Sequence, residues 1–351
     1  MININRAYIS KVTLHRVGHQ LREEKNIVAQ DLMPITEQLD EVLRDYFLNP
    51  FKRENSLYHF THHADLSLNE VYNYCKEVFE DESLFLDASQ NILNALYQQS
   101  NHPSIKLGEL FVVHFGDINY EEQIVEAIGI FKVERKNKFF KFIQHEQGLE
   151  LELQNGFSVQ KIDKGALVLN IDEGGGFKVL SIDNNNYDAA YWKKQFLKIE
   201  YINNNNYQTD QYLELCTNFS NSILANDYGK EKQAEFLGNT LRYFAENPMV
   251  EDLGFQEEVI GEEKEIVEAF KEYKKDYSEA NEVQFWDAFE VSQPVFKQKK
   301  KKIKTEIKLD TKIKIILDSN SLEEAAENLE KGFDEKKKMN YYKVYFTQEL
   351  D

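Results

Sequence analysis

Between Ile303 and Leu317 the apolar and polar positions alternate with period two. Ile303, Thr305, Ile307, Leu309, Thr311, Ile313, Ile315 and Leu317 share one parity; Lys302, Lys304, Glu306, Lys308, Asp310, Lys312 and Lys314 share the other. Such alternation predicts β-structure with one buried face. A single strand of this length would be unusual, so a hairpin bending near Asp310 is predicted. Parity selects the turn. A two-residue loop at Asp310-Thr311 would put Ile307 on the face of Lys314. A three-residue loop, Asp310 to Lys312, pairs Leu309 with Ile313, Ile307 with Ile315 and Lys308 with Lys314. Like charges directly across a ladder are destabilising, so a polyanion on that face would relieve a repulsion.

The same patterning divides the rest of the chain. Residues 2–17, with Ile4, Tyr8, Val12 and Leu14 set among polar positions, predict one or two short strands. Pro34 at a first helical position opens a helix with Ile35, Leu39, Val42, Leu43 and Tyr46 at helical spacing. Ser67-Leu68-Asn69-Glu70 has the form of a capping box ahead of Val71, Cys75, Val78 and Phe79. A third helix is predicted over Phe85 to Gln99, and Pro103 closes this region.

The middle reads as short strands: Leu107 to Phe115, Gln123 to Glu134, Lys138 to His145, Leu149 to Gln154, Gly165 to Ile171 and Phe177 to Ile182. Asp117-Ile118-Asn119, Lys136-Asn137, Gln147-Gly148, Asn155-Gly156 and Gly174-Gly175-Gly176 are the turn signals between them. Short loops imply sequential antiparallel pairing, a meander.

Helices resume at about Ala189, with Asn203 to Asn206 as a loop. They continue over Tyr212 to Ala225, Gly229 to Glu246, Glu257 to Tyr277 and Val283 to Phe289. After the basic hairpin a helix Ser321 to Lys331 closes on Gly332 as its C′ residue, and Met339 to Phe346 is a final strand. The prediction is an α+β chain in four segments. These are N-terminal strands plus helices (1–104), an antiparallel β-meander (105–186), a helical region (187–295), and a basic hairpin, short helix and C-terminal strand (296–351).

Composition narrows the class. With 351 residues, 42% apolar and 13% aromatic, the chain carries enough material for two or three domains or one large α+β unit. No apolar run approaches the length of a bilayer span, and Met1-Ile2-Asn3-Ile4-Asn5-Arg6 lacks a signal-peptide layout, which predicts a cytoplasmic protein without membrane contact. Cys75 and Cys216 are too isolated for a disulfide framework and read as buried reduced thiols.

Charge is polarised. The net charge is −19, yet Lys297 to Lys314 holds nine lysines against Glu306 and Asp310, a local +7 that leaves −26 elsewhere. Glu251 to Glu290, immediately before it, holds 14 acids and four lysines. An acidic body of this kind confines contact with an anionic polymer to one face.

Candidate chemistry is sparse. His59, His62 and His63 are the densest histidine cluster, but the Glu of a metalloprotease helix is missing and no metal is predicted. Gly174-Gly175-Gly176 is followed by no Gly-Lys-Ser/Thr and reads as a hairpin turn rather than a phosphate loop. Asp117, Glu134 and Lys136 have the carboxylate-and-lysine composition of a metal-dependent nuclease, a spacing that a chain with 61 acids produces by chance. No catalytic residue and no cofactor are predicted, and the chain reads as a non-enzyme.

Two stretches carry a family likeness. The first runs through Gly165-Ala166-Leu167-Val168-Leu169-Asn170 and Phe177-Lys178-Val179-Leu180 to Asp188-Ala189-Ala190-Tyr191-Trp192-Lys193-Lys194-Gln195-Phe196-Leu197. The second joins Ile307-Lys308-Leu309-Asp310, Ile313 and Ile315 to Glu330-Lys331-Gly332-Phe333-Asp334 and Met339-Asn340-Tyr341-Tyr342-Lys343-Val344-Tyr345-Phe346. With the order of helices, meander and helices, they resemble the bacterial nucleoid-associated protein family of the NdpA/YejK type. The resemblance implies a cytoplasmic protein of the nucleoid that binds DNA without an enzymatic step. Two departures stand out: a longer helix from Ser321 to Asn328, and Lys338 where the family pattern calls for glycine.

On that reading Lys299, Lys300, Lys301, Lys302, Lys304, Lys308, Lys312 and Lys314 contact phosphates, releasing condensed counterions. The segment has no arginine for bidentate guanine recognition, so binding is predicted to be largely independent of sequence. Lys132, Arg135, Lys136, Lys138 and Lys141 form a second basic patch that would extend the track. The main competing reading is an adaptor whose acidic faces, Glu257 to Tyr277 above all, dock a basic protein partner on the chromosome, and a third is a metal-dependent nuclease at Asp117, Glu134 and Lys136. An exposed apolar stripe would mark a homodimer.

Overall fold

The computed structural model describes residues 2–53, 56–103, 105–134, 137–146, 148–159, 161–184, 191–281, 283–323 and 328–348. The chain divides into two compact units, Met1–Ile202 and Asn203–Asp351. Antiparallel sheets and helices in both make it an α+β protein.

The first unit is built on one antiparallel sheet. Its strands are β1 (Ile2–Asn3), β2 (Tyr8–Val17), β3 (Leu57–Phe60), β4 (Gly108–Tyr120), β5 (Gln123–Val133), β8 (Lys164–Leu169), β9 (Lys178–Asp183) and β10 (Ile199–Tyr201). The hairpin of β6 (Asn137–His145) and β7 (Gly148–Gly156) interrupts the series. Both β1 and β2 pair with β4, and the order continues β5, β8, β9, β3, β10. The expected sequential meander is corrected: β4–β5 and β8–β9 pair as neighbours, but β6 and β7 pair with each other outside this sheet, so β5 pairs with β8, and β3 and β10 are added beyond β9.

Alternation along the central strands serves two cores. Leu110, Val112, Ile128, Ile130, Ala166 and Val168 face α2 (Glu70–Glu80) and α3 (Phe85–Gln98). Phe111, Val113, Phe115, Phe131, Leu167 and Leu169 face α1 (Glu37–Leu48). A sheet covered on both sides needs apolar residues at both parities, which is why these strands read as continuous apolar runs.

Several boundaries differ from the sequence reading, each for a local reason. Helix α1 starts at Glu37, because Thr36 Oγ1 accepts the Leu39 amide; Pro34 lies outside it. Helix α2 is capped by Asn69 rather than Ser67. Asn69 Oδ1 accepts the Tyr72 amide, and its buried amide group donates to the carbonyls of Thr61, Leu197 and Lys198. Asp117-Ile118-Asn119 lies inside β4, where Gly116-Asp117 forms a bulge, and the turn to β5 is Glu121-Glu122, both at positive φ. The Gly174–Gly176 run does link the paired strands β8 and β9, and a Cβ on Gly176 would lie 2.3 Å from the Phe60 carbonyl oxygen. Asp188, Ala189 and Ala190, the predicted start of the next helix, lie outside the described residues, as do Arg135, Lys136 and Gln147; Tyr191–Leu197 forms a wide helical turn.

The second unit packs α4 (Asn205–Phe219), α5 (Lys230–Glu246), the short α6 (Asp252–Phe255), α7 (Lys264–Asn281) and α8 (Gln293–Lys300) around an aromatic core. Tyr212, Phe219, Phe236, Phe244, Phe255, Phe270 and Phe289 are its centre, each fully buried ring contributing roughly 1.5–3 kcal/mol. Asn204 caps α4, so the asparagine tract starts a helix as well as forming a loop. Gly261, at φ 77°, separates the predicted Glu257 to Tyr277 helix from α7 proper. The predicted helix Val283 to Phe289 is extended instead: β12 (Ala288–Glu290) pairs with β11 (Met249–Glu251).

The C-terminal part holds β13 (Thr305–Lys308), β14 (Lys314–Leu317), the short α9 (Ser319–Glu323), β15 (Leu329–Asp334) and β16 (Met339–Val344). The helix predicted from Ser321 to Lys331 is helical at Ser321 to Glu323, its residues 324–327 lie outside the described residues, and its end is corrected, Leu329 to Lys331 being part of a strand. Gly332 sits in a strand opposite Tyr341, where a Cβ would fall 2.3 Å from the ring carbon Cζ. The aromatic ring covers the glycine, a pairing that favours the ladder over a helix C-terminus.

Candidate nucleic-acid interface

The β13–β14 hairpin has the register that parity selects: Ile307 faces Ile315 and Lys308 faces Lys314. The Leu309 amide donates to the Ile313 carbonyl at 2.9 Å, and the Lys312 amide closes the turn onto the Leu309 carbonyl at 3.0 Å. Lys312 adopts φ 67°, the left-handed position of a three-residue loop.

The inner face is held by its own unit. Ile303, Thr305, Ile307 and Leu317 are buried, and Thr305 Oγ1 donates to Gln233 Oε1 on α5 at 2.9 Å. Ile313, at the tip, is 59% exposed although it shares the inner parity. The outer face carries Lys304, Glu306, Lys308 and Lys314. Glu306 takes the Lys308 and Lys314 ammoniums at 3.3 Å each, so a carboxylate of the chain already offsets their repulsion. The hydrogen bond from Lys314 is the main reason its carboxyl stays below the usual range.

The preceding lysines lie elsewhere. Lys299 and Lys300 end α8, and Lys301 and Lys302 form the turn after it. Lys299 Nζ is held by Asp210 at 3.0 Å and Glu214 at 2.8 Å on α4. Burial pulls its pKa down, and the two carboxylates more than reverse this, leaving it raised. Lys301, Lys302, Lys304 and Lys312 are exposed and make no ion pair among the described residues.

The second basic patch does not assemble. Lys132 is fully buried, its ammonium donating to the Lys106 carbonyl at 2.7 Å, Glu134 Oε1 at 2.9 Å and the Tyr191 hydroxyl at 3.0 Å. Its parity with Ile128 and Ile130 was the available signal for that burial. Lys138 and Lys141 are exposed on β6 but point to opposite faces, and Lys141 stands across the ladder from Glu152. Arg135 and Lys136 lie outside the described residues.

Nor does the nuclease composition converge. Asp117 sits in the β4 bulge and Glu134 follows the far end of β5, roughly 25 Å away at the rise of an extended chain. Glu134 is, besides, committed to Lys132. Of the histidines, His59 lies on β3 and donates from Nδ1 to the Gly175 carbonyl at 3.1 Å, while His62 and His63 stack in the following loop. Among the described residues, Glu82, His114 and Glu126 are a group that sequence spacing could not reveal, since they come from three separate elements. Lys11 Nζ stands 3.0 Å from Glu82, which gives that carboxylate a positive partner from the chain itself.

Among the described residues no helix is long and apolar enough to cross a membrane. The family model described as nucleoid-associated protein YejK (NA37) matches residues 13–338. No curated protein matches the chain.

Proposed function

Because the chain belongs to the family of the nucleoid-associated protein YejK, we propose that it binds duplex DNA without an enzymatic step, through the outer face of the β13–β14 hairpin and the turn before it. The observation that carries this reading is the display of Lys302, Lys304, Lys308, Lys312 and Lys314, all exposed, on a small hairpin whose inner face is fixed to α5. In a chain of net charge −19 such a face is where a polyanion can approach.

Each ammonium that neutralises a phosphate releases condensed counterion, so five contacts would give a salt slope of about −4.5. Lysine acts as a point charge on a flexible stem, and Phe296 to Leu317 holds no arginine, which favours backbone contact over base reading. Lys299 is left out of this set, since Asp210 and Glu214 engage it.

The second reading, an adaptor for a basic protein, draws on α7. Of that helix only Ile266 and Phe270 are buried, and Glu265, Glu268, Glu272 and Glu279 are exposed.

Fluorescence anisotropy with a short random duplex across a salt series separates the two. The native chain should bind with a steep slope that flattens when Lys302, Lys304, Lys308, Lys312 and Lys314 are changed to Gln. A Lys299→Gln variant should keep the slope. Absence of binding at low salt from the folded chain would overturn the proposal in favour of the adaptor.

A further inference from the structure

Between β5 and β8 the chain leaves the main sheet, and β6 and β7 pair only with each other, from Asn137 opposite Gly156 to His145 opposite Gly148. The hairpin is amphipathic. One face carries Lys141, His145, Glu150 and Glu152, with His145 bound to Glu150 at 2.7 Å, and among them Ile143 and Phe139, whose ring lies over Gly156. The other carries Phe140 and Phe142 from β6 and Leu149, Leu151 and Leu153 from β7. These five side chains are 63%, 69%, 73%, 53% and 53% exposed.

A two-stranded hairpin is marginal in water by itself, and here, among the described residues, its apolar face stays largely exposed. Five large side chains this exposed leave on the order of 500 Å² of apolar surface in water, the upper range for a lone chain. The conflict lies between a sequence patterned for a buried face and a fold that buries none of it.

We propose that this face is covered by the same face of a second copy of the chain, the two hairpins packing as layers about a two-fold axis along the strands. Phe140 pairs with Leu153 and Phe142 with Leu151 across the ladder. The two-fold therefore lays each phenylalanine over a leucine of the other copy, aromatic strand over aliphatic strand. Large flat rings then meet branched side chains in every row.

Charge agrees with a self-association. Among the described residues of this face Lys138 is the sole charged one; it lies at the margin, and the position opposite is the neutral Asn155. No like charges are brought together and no central charge loses its water. Two such faces would remove about 1,000 Å² from solvent, the lower bound for a specific interface, which predicts a dimer that dissociates on dilution.

Sedimentation equilibrium of the full chain over a wide concentration range tests this. The native chain should move from monomer to dimer. Phe140→Lys and Leu153→Glu, both at exposed positions, should each keep the melting temperature and weaken the dimer at least tenfold. Mixing the two variants should restore association, because the introduced ammonium then meets the introduced carboxylate while the second Phe140–Leu153 contact stays native. Glu152→Gln, on the opposite face, should change nothing. A native chain that remains monomeric at 100 µM, a dimer indifferent to both substitutions, or a mixture that fails to recover would each overturn the proposal.

Discussion

Lys308 and Lys314 stand directly opposite each other across the β13–β14 ladder, and each reaches the same carboxylate, Glu306, at 3.3 Å. The chain has met the repulsion that the register creates, with a group any phosphate must displace. Glu306→Gln should therefore tighten DNA binding several-fold at low salt and steepen the salt slope by about one. Anisotropy at two salt concentrations checks it. An unchanged affinity would mean that phosphates do not approach this face.

The buried pair Lys132–Glu134 is a matter of stability rather than binding. Their side chains are 0% and 2% exposed, so removing the ammonium takes a buried countercharge away from the carboxylate. Lys132→Met is expected to cost about 3–5 kcal/mol in urea denaturation. The double variant Lys132→Met with Glu134→Leu should recover a large part of that loss. DNA affinity of the refolded single variant should equal that of the native chain.

Lys338 occupies a left-handed backbone position, φ 51°, at the end of the β15–β16 loop, where the Asp334 carboxylate accepts the Lys336 and Lys337 amides. Glycine is the residue that adopts this conformation without steric cost. Lys338→Gly should stabilise the chain by up to about 1 kcal/mol, and Lys338→Val should destabilise it. Thermal melts of the two variants should bracket the native value.

His15 gives a pH dependence of definite sign. Burial lowers its pKa to about 4, and the Ala29 amide donates to its Nδ1, which a protonated ring could not accept. The unfolded chain takes up this proton near pH 6.5, the folded chain only near 4. Its contribution is therefore complete above pH 6.5, falls as the pH drops towards 4, and is constant below. His114 is shifted the same way by burial, with Glu82 and Glu126 opposing. The melting temperature should fall between pH 6.5 and 5, and less steeply in His15→Gln than in the native chain.

The parity of Ile303 to Leu317 sufficed to derive a hairpin, its three-residue loop and its register. Alternation and loop length are local quantities, and a one-residue slip would have turned every side chain over. The hairpin pairs β4–β5, β6–β7 and β8–β9 were legible for the same reason, whereas the pairing of β5 with β8 across the β6–β7 excursion was not. The end of the expected Ser321 to Lys331 helix, Leu329 to Lys331, is a strand instead, because its residues suit either state. Tyr341, nine residues beyond Gly332, decides for a strand by covering the glycine.

The sequence by itself determined which residue types alternate, where the positive charge concentrates and which family the chain resembles. Only the tertiary structure decided which of those charges are still available. Lys299 is taken by Asp210 and Glu214, some 85 residues earlier, and Lys132 is sealed against Glu134 and Tyr191. It also decided that the apolar face of β6–β7, patterned like a core strand pair, is not buried by the described residues of its own chain. Periodicity is set by neighbours along the chain, whereas pairing and burial depend on which distant elements fold back onto a side chain.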